Sequence, residues 1–184
     1  MPIFARTKLL IQDDCLESVP GSALPGIGFL TLKYTGPNPQ KLYDKVKEIL
    51  HGVLKFTPDE LQERDFKWDR STATEKFSVT FEFVRDMDRF SYIILTINLK
   101  GEAKPSKEFG KEGTATLRID GKLRTEYPQD TLWQRSLFYE MGRVFYHKVI
   151  YEEKRKQYKV QCKEWLNRIY EELKEFLNIL PSLK

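Results

Sequence analysis

Two cysteines and two histidines in 184 residues leave little material for metal or redox chemistry. Cys15 and Cys162 lie far apart, and neither has another Cys or His at the short spacing of a zinc site, so no metal and no cofactor are implied. The pair reads as two reduced, half-buried thiols, with a single disulfide as the alternative. His51 and His147 are the histidines available as general bases near neutral pH, and each reads as a solvated or capping side chain. Asp65 and Asp69, like Asp86 and Asp88, have no visible partner for paired-carboxylate catalysis. The chain also lacks a Walker A pattern, a dinucleotide fingerprint, a nucleophile elbow and a His-Glu-x-x-His helix. Gly110-Lys111-Glu112-Gly113 reads as a surface turn, because a phosphate loop would follow its Lys with Ser or Thr. The expectation leans away from an enzyme.

Long apolar runs are missing as well. No stretch approaches the about 18 apolar residues that suggest a membrane span. Residues 1–12 interrupt their apolar positions with Arg6 and Lys8, unlike a signal peptide. A soluble, cytoplasmic protein is expected. One-sided charge is missing too: 31 basic residues face 27 acidic ones, so no strong field points at a polyanion.

What the chain does have is 40% hydrophobic, 13% aromatic and 32% charged residues, the signature of a packed interior under a well-hydrated surface. Abundant Lys and Glu suggest a thermophilic host. The length suits one α+β domain spanning 1–184, with a sheet and one helix in 1–128 and helices over 131–178.

Alternation predicts about six strands. Ile3 to Ile11 and Ile27 to Thr35 are the first two, and a loop carrying Pro20, Gly21, Pro25 and Gly26 separates them. Asn38-Pro39 then opens an amphipathic helix over 39–54, with Asn38 as cap and Leu42, Tyr43, Val46, Ile49, Leu50 and Val53 as its stripe. Thr57 and Glu60 form a capping box for a short helix to about Gln62. Four strands follow, at 64–70, 76–85, 90–100 and 114–127. Phe77, Val79, Phe81 and Phe83 share one face, and so do Ile93, Leu95, Ile97 and Leu99; Ser78, Thr80 and Glu82 point the other way. Asp120-Gly121 reads as a bend within the last strand, and 101–113 as a mobile hairpin tip. Short links make the sheet antiparallel.

Thr131, with Gln134 three residues on, opens a long helical segment that ends before Pro181 and is expected to break around Tyr151 to Arg155. Its first part carries a broad apolar face of Trp133, Leu137, Phe138, Met141, Val144, Phe145 and Val149, which the sheet should bury. Leu132, Tyr139, Tyr146 and Ile150, with Arg135 and Arg143, form a second stripe that needs its own cover. The segment's last part has a short coiled-coil-like seam of Cys162, Leu166, Ile169, Leu173, Phe176 and Leu180, expected to pack back on the first part, with oligomerisation as the alternative. Lys154, Arg155, Lys156, Lys159 and Lys163 make a basic cluster, diluted by Glu152, Glu153 and Glu164.

The candidate binding residues are therefore Arg135, Tyr139, Arg143, Tyr146, Lys154, Arg155, Lys156, Lys159 and Lys163. They suggest a non-enzymatic binding or assembly protein that docks an unknown protein partner through its C-terminal helices, since Tyr and Arg concentrate interface energy. The element order resembles that of the helix-grip fold. That resemblance implies a second reading, a carrier of an apolar small molecule or lipid in a cavity between residues 133–149 and the strands ending at Tyr92 and Leu123. RNA or an anionic surface, met by the 154–163 cluster, is the third.

Overall fold

The computed structural model describes residues 9–16, 28–55, 57–71, 73–107, 110–127, 131 and 136–180. The strand start at Ile3 to Lys8, the loop around Pro20 to Gly26, Leu132, Trp133, Gln134, Arg135 and Pro181 lie outside them.

The fold is α+β. Six strands, β1 (Leu9–Asp14), β2 (Phe29–Pro37), β3 (Leu61–Asp69), β4 (Glu75–Asp86), β5 (Ser91–Ser106) and β6 (Gly110–Tyr127), form one antiparallel sheet. The helices are α1 (Lys41–Leu54), α2 (Leu137–Phe145) and α3 (Glu152–Ile179), with a π-helical segment over Tyr146–Tyr151 joining the last two. Strands run in the order β1-β6-β5-β4-β3, and β2 also pairs with β6. β1 lies against residues 122–127 of β6 and β2 against 112–120, so one long strand supports both.

Period-two patterning decides which face is buried. Phe77, Val79, Phe81 and Phe83 of β4 and Ile93, Leu95, Ile97 and Leu99 of β5 are each at most 3% exposed. Leu42, Val46, Ile49, Leu50 and Leu54 of α1 and Cys162, Leu166, Ile169 and Leu173 of α3 complete the same core. The α3 seam is thus buried within the domain against α1, β6 and β2, rather than against α2 or a second copy.

β6 continues straight through Asp120-Gly121, as its phase requires. A Cβ on Gly121 would lie 2.8 Å from Leu166 Cδ1, 2.9 Å from Leu95 Cδ2 and 3.1 Å from Cys162 Sγ, so glycine is what lets α3 approach the sheet this closely.

Several local expectations are corrected. Residues 101–113 are not a loose tip: β5 and β6 stay paired out to Ser106 and Gly110. Asn38 does not cap α1 with its side chain; it takes a left-handed φ of 54°, and its N–H donates to Lys111 O at 2.9 Å, docking the turn on β6. Thr57 and Glu60 do form their box, with Thr57 N donating to Glu60 Oε2 at 2.8 Å, around a 3-10 turn that ends at Glu60. α2 starts at Leu137 under a Ser136 cap, whose hydroxyl accepts from Tyr139 N at 3.3 Å, and Thr131 precedes it. The break in the C-terminal helix begins at Tyr146, one turn earlier than the charge pattern suggests.

The cysteines are not reduced thiols. Cys15, just past β1, is disulfide-bonded to Cys162 of α3 across 147 residues, with Cα atoms 5.9 Å apart. Cys15 N also donates to Gly121 O at 2.9 Å, so the side-chain-free residue of β6 is where β1, α3 and the bridge converge.

Candidate functional site

At one end of the sheet, the β4–β5 turn, the C-terminal residues of β6, the π segment and the first turns of α3 meet. The π segment sets the geometry. Residues five apart point roughly 140° away from each other on an α-helix but come nearly into line on the wider π turn. Tyr146 and Tyr151, five apart, accordingly stack with ring centroids 5.9 Å apart and planes at 21°. His147 lies 6.1 Å from the Tyr151 ring.

Two polar networks form beneath these rings. In the first, Tyr151 Oη donates to Asp88 Oδ2 at 2.7 Å, so it accepts from Ser91 Oγ at 2.7 Å, which in turn meets Thr125 Oγ1 at 2.7 Å. Asp88 also accepts from Phe90 N at 2.8 Å, Ser91 N at 2.9 Å and Tyr158 Oη at 3.1 Å. One carboxylate therefore shapes the β4–β5 turn and ties it to α3. Burial pushes the Asp88 carboxyl up, but the donors from Tyr151, Phe90, Ser91 and Tyr158 outweigh it and hold the group below its ordinary value. Burial raises the Tyr151 hydroxyl well above the usual tyrosine range.

A depressed acid contributes stability above its unfolded pKa and loses it as pH falls through the lower folded value. Denaturant unfolding from about pH 5 down to about pH 2 should therefore show a loss that Asp88→Asn removes, with the variant about 1–3 kcal/mol less stable at neutral pH. Unchanged acid sensitivity in Asp88→Asn would assign that loss to other carboxylates.

In the second network Arg155, 7% exposed, donates through Nη2 to Asp13 Oδ2 at 2.5 Å and through Nη1 to His147 Nε2 at 2.9 Å. His147 Nδ1 lies 2.8 Å from Tyr127 Oη. Burial, then the neighbouring Arg155 charge, lowers the His147 pKa, and burial raises that of Tyr127.

Above the networks, α2 and the sheet end enclose a groove of about 520 Å³ lined by Phe90, Tyr127, Phe138, Tyr139, Gly142, Arg143 and Tyr146. The Arg143 guanidinium carbon lies 5.9 Å from the centre of the Tyr127 ring. This groove lies between residues 138–146 and the strand ends, the region where the helix-grip resemblance placed a cavity.

The sheet does not bury the apolar face of α2. Phe138 is 79% exposed, and Met141, Phe145, Val149, Ile150 and Val144 run from 63% to 49%. Among the described side chains of this segment, Tyr139, Arg143 and His147 are half-buried. Of the second stripe, Tyr139 and Arg143 turn toward the domain while Tyr146 and Ile150 are exposed, and the Met141/Phe145 side, expected to be buried, faces outward.

The basic cluster does not act as a unit. Arg155 is buried on Asp13, Lys156 pairs with Glu152 at 3.0 Å, Lys159 is half-buried, and Lys154 and Lys163 are exposed. The sequence does not mark Asp13, Ser91 or Tyr127 as site residues, Asp88 shows no partner in it, and His147 reads there as solvated or capping; their partners lie tens of residues away. Among the described residues no group of three or more His, Cys, Asp or Glu could hold a metal ion, and no helix is long and apolar enough to cross a membrane.

No protein-family model matches the chain, and neither does any curated protein. Among solved structures it is similar to a protein of unknown function, SA2116 from Staphylococcus aureus, at 7% identity over 84% of this chain and 96% of that one. The TM-score of that match is 0.28, too low to carry any inference about fold or site.

Proposed function

We propose that this is a protein-docking module whose recognition element is the outward face of residues 138–149. The supporting observation is the exposure of Phe138, Met141, Phe145 and Val149, from 62% to 79%, on a segment whose Tyr139, Arg143 and His147 side chains are half-buried against the domain. Their i, i+3, i+7, i+11 spacing is that of an amphipathic helix laid into a partner's apolar groove. A monomer rarely leaves such a contiguous apolar surface uncovered.

A partner protein fits better than a lipid surface. The exposed charges beside this face, Lys148, Glu152, Glu153, Lys154 and Lys156, nearly cancel, whereas anionic membranes are held by clusters of about 4–8 Lys or Arg. RNA binding fits least, with Arg155 committed to Asp13. A cytoplasmic address suits a closed disulfide in the thermophilic kind of host that the Lys- and Glu-rich composition suggests.

The test is Phe138→Glu with Phe145→Glu. Neither side chain supports the core, so the denaturation midpoint should stay within about 0.5 kcal/mol of wild type. Quantitative affinity capture from the host should recover a stoichiometric partner with the wild type, lost at least tenfold with the variant, an order-of-magnitude expectation for two interface anchors. A wild-type dimer by light scattering that the variant dissociates would instead make a second copy the occupant, and flotation with phosphatidylglycerol vesicles would make it lipid. Either result overturns the reading.

A further inference from the structure

We infer that the groove between α2 and the sheet end is a binding site for a small arene or alkyl carboxylate, held by Arg143 and by the hydroxyl proton of Tyr127. The positions of three protons define the site. Arginine only donates, so the contact of Arg155 Nη1 with His147 Nε2 at 2.9 Å makes Nε2 the acceptor. His147 is then neutral, with its proton on Nδ1, and that proton is donated to Tyr127 Oη at 2.8 Å. Asp13 anchors the far end by accepting from Arg155 Nη2. Because Tyr127 Oη accepts from His147, its own proton is left without an acceptor among the described residues.

Tyr127 is also a wall of the groove, and Arg143 is the one charged side chain among the described lining residues. A hydroxyl donor and a guanidinium beside one cavity suit an oxyanion, and a carboxylate in particular can accept from both. The remaining walls select the body of the ligand. Phe90, Phe138, Tyr139 and Tyr146 are aromatic, and about 520 Å³ lies within the usual range for small-molecule sites, roughly 300–1,000 Å³. Asp13, Arg155 and His147 are positioning residues here: they hold Tyr127 as a donor and do not line the groove themselves.

The site shares Phe138 with the proposed docking face, but its polar groups, Tyr127 and Arg143, face the domain while Met141, Phe145 and Val149 face away from it, so Arg143→Gln and Tyr127→Phe test the groove without touching that face. The probe is 2-naphthoate, with 2-naphthylmethanol as its uncharged counterpart, titrated into the intact protein by calorimetry. Naphthoate should bind with a micromolar dissociation constant and the alcohol roughly tenfold more weakly, the size of one lost charge-assisted contact. Arg143→Gln should weaken naphthoate roughly tenfold and leave the alcohol unchanged, because only the carboxylate carries charge. Tyr127→Phe should weaken naphthoate by a similar factor, roughly tenfold. His147→Phe, which frees Tyr127 from its fixed role, should weaken naphthoate without altering the preference for carboxylate over alcohol. Should a variant fail to fold, the wild type decides: intermolecular NOEs from the naphthoate ring to Phe90 and Tyr146 support the site. Absence of naphthoate binding at millimolar concentration, or equal affinity for acid and alcohol in the wild type, overturns it.

Discussion

Reduction of the Cys15–Cys162 disulfide is expected to cost the protein about 5 kcal/mol of stability. The bridge closes 147 residues, and the chain-entropy relation for a loop of that length gives about 5 kcal/mol at room temperature, the upper end of what native disulfides contribute. Its ends join β1, an edge strand paired among the described residues with 122–127 of β6, to the centre of α3, so an opened chain regains freedom at the edge of the sheet. Denaturant midpoints with and without reductant should therefore differ widely in the wild type and coincide in Cys15→Ala with Cys162→Ala. Both sulfurs are buried, so Ala fits the site without stranding a polar group. A reductant effect below about 0.5 kcal/mol would show that β1 is held by its ladder alone.

Arg155→Met is expected to be nearly as damaging, at about 3–5 kcal/mol, because removing one partner of a buried ion pair leaves the other uncompensated. Asp13, with its side chain 29% exposed, would lose the guanidinium it accepts from, and His147 would lose the donor that sets its tautomer. Asp13→Leu combined with Arg155→Met should recover much of the loss, since replacing both members removes the stranded charge. Lys154→Ala with Lys163→Ala supplies the contrast: both side chains are exposed, and the pair should stay within about 0.5 kcal/mol of wild type. Equal damage from the two experiments would mean that the basic residues do act as one cluster.

The outward face of α2 shows how a correct pattern can be read in the wrong direction. Phe138, Met141, Phe145 and Val149 form an apolar stripe, but the need for cover does not name the cover. α1 and α3 already occupy the apolar face of the sheet, and α2 meets only its end, through Tyr139, Arg143 and Tyr146 against Phe90 and Tyr127. The stripe is therefore left outward. The early helix break has a similar origin: Tyr146, His147 and Tyr151 all point to the sheet end only if the helix widens, a demand set by their partners and invisible in local charge.

What the sequence determined by itself was everything governed by short periods: the six antiparallel strands, the buried face of Phe81, Leu95 and Ile97, the amphipathic α1, the unbroken phase of the last strand through Asp120-Gly121, though not the bend expected there, and the buried seam of Cys162, Leu166, Ile169 and Leu173. These follow from neighbours two, three or four residues apart, whose side chains share a face whatever the rest of the chain does. The tertiary structure alone decided the Cys15–Cys162 bond, the Asp13–Arg155–His147–Tyr127 and Asp88–Tyr151–Ser91 networks, the groove, and the outward turn of α2. Asp13 and Arg155 are 142 residues apart, and Asp88 and Tyr151 are 63. A polar side chain carries no periodic mark of a distant partner, and only the docking of α3 across the sheet, close enough because Gly121 has no side chain, brings those groups within hydrogen-bonding reach.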